Sequence, residues 1–193
     1  IRLVESGEEL LRLRLLAGTL FWIAASIVVA GWGLSNLFQR HVETQFHAEL
    51  KTHLDQLTAQ LMLDDKGRPA LALPLSDPRL SRPYSGCYWQ VDEIKAEAST
   101  TNGLLRSRSL WDHVLVPPPD TPADGEIHQH RIVGPEGKML GLVERSVRID
   151  DTPDGKPRSF RLIAAADEAL TSEPVARFSG ALWLALGIPG MGL

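Results

Sequence analysis

The chain has 193 residues, of which 44% are hydrophobic and 23% charged, with a formal net charge of −4 at pH 7. That balance, with a pI near 5.9, excludes the basic surface on which nucleic-acid binding depends, and no nucleic acid is expected as a partner. One cysteine, Cys87, excludes an intrachain disulfide framework and a cysteine-based zinc site.

Residues 1–14 (IRLVESGEELLRLR) form a short charged flank containing Arg2, Arg12 and Arg14. The stretch from Leu15 to Phe38 (LLAGTLFWIAASIVVAGWGLSNLF) is 24 residues long and has no ionisable side chain. At about 1.5 Å per helical residue it reaches roughly 36 Å, enough to cross a hydrocarbon core of about 30 Å. It is too long for the apolar part of a signal peptide, and no small-x-small cleavage pattern follows it. A transmembrane helix over 15–38 is therefore expected, with the lipid bilayer as a partner. Three arginines precede it, whereas only Arg40 and Lys51 fall in the residues just beyond. The positive-inside rule places the N-terminal flank in the cytoplasm and residues 39–177 on the far side.

From Gln39 to Leu63 the helix is predicted to continue. Val42, Phe46, Leu50, Leu54, Leu57 and Leu61 recur every three or four residues and make one apolar stripe. From Leu50 onward the 4-3-4 spacing is heptad-like and suits a partner helix in a homodimer, or equally the chain's own domain. Asp64-Asp65-Lys66-Gly67-Arg68-Pro69 then ends it.

Strand-like segments follow, separated by turn residues. They are Ser85 to Val91, Gly103 to Trp111, His128 to Val133, Lys138 to Ile149 and Ser159 to Ala165, with a proline-rich loop from Val116 to Gly125. One long helix followed by about five antiparallel strands predicts an α+β domain over 39–177. Residues 178–193 (FSGALWLALGIPGMGL) are again free of charge. They read as the start of a second transmembrane helix, so the chain is expected to be a fragment of a longer, multi-pass protein.

Two motifs lie in the middle segment: Asp77-Pro78-Arg79-Leu80-Ser81-Arg82-Pro83-Tyr84-Ser85-Gly86-Cys87-Tyr88-Trp89-Gln90, and Leu105-Arg106-Ser107-Arg108-Ser109-Leu110-Trp111-Asp112. In this order and between two apolar segments, they resemble the periplasmic sensor region of proteobacterial two-component sensor histidine kinases. The resemblance implies a PAS-like periplasmic fold in the bacterial inner membrane that answers an unidentified periplasmic ligand or protein. It also implies a homodimer, a cytoplasmic kinase that uses ATP and Mg, and a response regulator as the phosphate acceptor. The HAMP linker, phosphoacceptor helix and ATP-binding domain of such kinases are not in these residues, so no catalytic residue is carried over and no cofactor is expected here. Two readings from other classes share the layout. One is a non-enzymatic receptor of the chemoreceptor kind, and the other is a membrane-tethered protein-binding domain.

Read without the family, Arg106 and Arg108 fall on one face of a predicted strand, where two guanidinium groups suit an anionic ligand. They are the candidate ligand-binding residues. Buried as structural groups instead, they would need Asp92, Asp112 or Glu144 as partners. The histidines give no metal site. His41, His47 and His53 are six residues apart, so successive rings point about 120° apart around a helix. His128 and His130 share a strand face, but no third ligand is evident. Asp150, Asp151 and Asp154 read as a solvated turn, and Gly134-Pro135-Glu136-Gly137 as a hairpin turn rather than a phosphate loop.

Overall fold

The computed structural model describes residues 2–95, 100–119, 125–150, 152, 155–170 and 180, with side chains from Arg12 onward. Two compact units emerge, one comprising residues 1–42 and 173–193 and the other residues 43–172. Helix α1 (Arg2–Gln60) contributes to both. The expected second apolar segment, 178–193, lies outside the described residues except for Gly180.

In the first unit, α1 is long and apolar enough to cross a membrane, and its most apolar window has no buried residue. Leu15, Leu20, Phe21, Trp22, Val29, Trp32 and Leu37 are all exposed. Two hydroxyls within this stretch are satisfied on the helix: Thr19 donates to Leu15 O at 2.6 Å and Ser26 to Trp22 O at 2.7 Å. A helix whose apolar side chains face outward on every side is suited to lipid rather than to water.

The second unit is α+β, as expected. After α1 come β1 (Leu61–Leu63), β2 (Pro69–Leu71), β3 (Cys87–Ile94), β4 (Thr100–Arg106), β5 (Ile127–Val133), β6 (Met139–Ile149) and β7 (Arg158–Asp167). Strands β1 and β2 form a small hairpin, and the other five form one antiparallel sheet in the order β4-β3-β7-β6-β5. The helix stops at Gln60, three residues earlier than the periodicity predicts. Leu61, Met62 and Leu63 pair instead with Leu71, Ala70 and Pro69. The turn is closed by Asp64, whose carboxylate accepts from the backbone N–H groups of Lys66 and Arg68 and from the Arg68 side chain.

The central strand β7 (RSFRLIAAAD) is buried from Phe160 to Asp167, covered on both faces, and carries an apolar run from Leu162 to Ala166. On one face the stripe Phe46, Leu50, Leu54 and Leu57 packs onto Val91, Val143, Phe160, Leu162, Ala164 and Ala166. Leu54 and Leu57 have no accessible surface. The heptad-like spacing is therefore taken up by the domain's own sheet, which removes these leucines from any seam with a second chain. The small residues beneath the helix permit this approach, since a Cβ on Gly141 would lie 2.6 Å from the Phe46 ring. On the opposite face, Tyr88, Leu110, Leu115, Ile132, Leu140, Leu142 and Ile163 form a second cluster.

The DPR motif is a structural clamp. Asp77 caps a 3-10 turn over Pro78–Ser81 by accepting from the Arg79 N–H at 2.8 Å. The Arg79 guanidinium then joins Asp77 to Glu49 of α1, and His53 of α1 lies 3.3 Å from the Asp77 carboxylate.

Candidate functional site

The two predicted ligand residues do not share a strand face. Strand β4 ends at Arg106, and Arg108 opens a 3-10 turn (Arg108–Leu110) rather than continuing the strand to Trp111. Both arginines are exposed. Arg106 donates to His113 O at 3.0 Å, and the Arg108 guanidinium lies 5.3 Å from the centre of the Trp111 ring. Neither pairs with a carboxylate among the described residues; Asp112 instead accepts from the Tyr84 hydroxyl at 2.8 Å.

The serines of the same motif explain where the strand stops. Ser107 N–H donates to Trp89 O, the Ser107 hydroxyl accepts from Trp89 N–H, and the Ser109 hydroxyl donates to Cys87 O at 2.6 Å. Both serines are buried. Their hydroxyls take over the backbone groups of β3 that a longer β4 would have used, which is the local competition that serine offers to a ladder. The two sequence motifs are thus halves of one junction.

The polar residues that do converge lie on the face of the sheet away from α1. Alternation along β3 places Tyr88, Gln90 and Asp92 on that face, and antiparallel register builds rows across it. Gln90 pairs with Ile163, Ile163 with Glu144, and Glu144 with His128. In the adjoining row Asp92 pairs with Arg161 and Arg161 with Ser146. Gln90, Asp92 and Glu144 are fully buried, and Arg161 and Ser146 nearly so. Arg106, paired with Gln90 in register, stands at the β4 edge of the same face.

Gln90 and Asp92 have identifiable anchors. The Gln90 amide donates to Leu115 O and accepts from Leu115 N–H, both at 2.8 Å, and so fastens the 111–119 segment over the sheet. Asp92 Oδ1 accepts from the Gln90 amide at 2.8 Å and from Gly103 N–H at 2.7 Å. Gly103 has φ +67°, and a Cβ there would lie 3.1 Å from Val114. Glycine is needed because β3 and β4 shift register between Val91 and Glu93, opposite this point. Burial pushes the Asp92 carboxyl above its ordinary value, against the Gly103 and Gln90 hydrogen bonds and the Arg161 charge.

At the β5 side, His130 Nε2 lies 3.4 Å from Glu144 Oε1, and Arg161 Nε lies 3.7 Å from Glu144 Oε2. The histidine and carboxylate ligand atoms of His128, His130 and Glu144 are all within 4.8 Å of one another. Glu144 is the third partner that periodicity along one strand does not reveal. A signal was nonetheless present: pairing outward from the Gly134–Gly137 turn sets Val133 against Met139 and therefore His128 against Glu144. Asp150, by contrast, forms an exposed pair with Arg148 at 2.7 Å, and Asp151 and Asp154 lie outside the described residues.

No family model, curated protein or solved structure matches this chain.

Proposed function

We propose that this chain is the input region of a membrane-bound sensor histidine kinase of two-component signal transduction. Residues 15–38 span the inner membrane of a Gram-negative cell, and residues 39–177 form a PAS-like sensor domain in the periplasm. Residues 178–193 return toward the cytoplasm. A homodimer, a response regulator and a periplasmic stimulus follow from the same reading, and ATP and Mg belong to the kinase portion.

The observation that carries the proposal is the order of parts. One helical element contains an outward-facing apolar segment of spanning length and, further along, the stripe that packs on a five-stranded antiparallel sheet. The far face of that sheet holds a buried polar group, covered by a segment fastened through Gln90. A stimulus that alters this face would act on the sheet against which α1 packs. The leucine stripe itself is engaged within the domain, so a homodimer would have to use other surfaces.

The test uses the complete gene product in inverted membrane vesicles, supplied with ATP and Mg. Acid-labile, base-stable phosphate on a histidine is the expected result. A long heptad array after Leu193 with no such phosphate would favour the chemoreceptor-like reading. A stop codon there would favour the membrane-tethered binding domain.

A further inference from the structure

We infer that His128, His130 and Glu144, with Glu126 beside them, form a binding site for a divalent transition-metal ion of the zinc class. The inference stands on the geometry of this cluster and does not depend on the signalling reading.

The donor set is built by the β5–β6 hairpin. His128 and His130 alternate on β5 and therefore share one face, Glu126 lies just before the strand, and register brings Glu144 of β6 directly opposite His128. Glu126 Oε2 lies 3.5 Å from His128 Nε2, and Glu144 Oε1 lies 3.4 Å from His130 Nε2. A tetrahedral ion held at about 2.0–2.2 Å from nitrogen and oxygen sets its ligands about 3.3–3.6 Å apart. The His130–Glu144 separation matches one edge of such a polyhedron, and the ligand atoms of His128, His130 and Glu144 lie within 4.8 Å of one another. The His128 and His130 ring centres are 6.3 Å apart, which leaves room between them for an ion.

The chemistry of the donors selects the ion. Two imidazoles with carboxylates suit zinc, nickel or copper(II), whereas magnesium and calcium favour oxygen-only shells. Glu144 and the partly exposed Glu126 bring negative charge to the site, and Arg161 lies beside Glu144. Its guanidinium lies on Glu144 Oε2, whereas Oε1 is the oxygen beside His130, and it helps orient the carboxylate. Glu144 is buried, while His128, His130 and especially Glu126 keep partial exposure along the edge strand β5, giving an ion a way in from solvent. A second group of metal-ligand residues among the described residues is Glu49, His53 and Asp77. Arg79 donates hydrogen bonds to both of its carboxylates.

The experiment is zinc titration, by calorimetry, of the full chain in detergent micelles after chelator treatment and dialysis. Wild type is expected to bind about one zinc per chain, and zinc is expected to raise its unfolding midpoint. His128→Asn and His130→Asn should each weaken zinc binding at least about tenfold, given that even outer partners of metal ligands are worth that much. His53→Asn should bind as wild type does. His128 stands at the open edge, so His128→Asn decides the matter if His130→Asn loses its thermal transition. Absence of saturable binding by wild type would overturn the inference. So would unchanged affinity in His128→Asn, or loss of binding in His53→Asn.

Discussion

At the scale of single residues, the face away from α1 is governed by Gln90 and Asp92. Removing the Gln90 side chain leaves the N–H and C=O of Leu115 without their side-chain partner in a buried position. Each orphaned group costs about 1–3 kcal/mol, so Gln90→Ala should destabilise the chain by about 2–6 kcal/mol in urea unfolding. The Leu115 amide should also lose its protection from hydrogen exchange. Asp92 makes a pH-dependent contribution whose sign follows from its raised pKa. The folded state holds the Asp92 proton at pH values where an unfolded aspartate, near 3.8, has released it. Stability from this group is therefore present in acid and lost as pH rises through the folded pKa. Asp92→Asn removes that loss while leaving an oxygen to accept from Gly103 and Gln90. The melting-temperature difference, variant minus wild type, should grow from near zero below about pH 4 to its largest value near neutrality. A difference independent of pH would contradict this account of Asp92.

At the scale of elements, the stripe on α1 and the five strands of the sheet were legible in the sequence because each follows a period, 3.6 for the helix and 2 for the strands. What escaped was set by side chains competing with the ladder and by register between strands. Alternation alone carries a strand through Arg108 to Trp111, whereas the Ser107 and Ser109 hydroxyls end it and move the arginines apart. Likewise His128 and His130 are visible as a pair on one strand, but Glu144 joins them only through hairpin register. The helix–sheet contact gives its own expectations. Leu54 is fully buried, so Leu54→Ala should cost about 2–5 kcal/mol through lost burial and the cavity left behind. Gly141→Ala forces a Cβ against the Phe46 ring and should cost about 1–3 kcal/mol. If Leu54 instead faced a second chain, its substitution would lower dimer affinity and leave the stability of the isolated chain unchanged.

Along the chain as a whole, a segment without ionisable groups precedes a domain that carries most of the charge. Residues 39–177 carry 17 Lys and Arg against 21 Asp and Glu, while the 24 residues of 15–38 carry no ionisable group. The helix that contains 15–38 is long and apolar enough to cross a membrane. The proposed placement of the sensor domain follows from three arginines before the apolar segment, and it determines which compartment supplies the stimulus. Reporter fusions joined after Gln90 test this most directly. Alkaline phosphatase, which needs the periplasm, should be active at that junction, and a fluorescent protein that matures only in the cytoplasm should be dark. A fluorescent fusion with inactive phosphatase would place the domain in the cytoplasm and contradict the sensor reading.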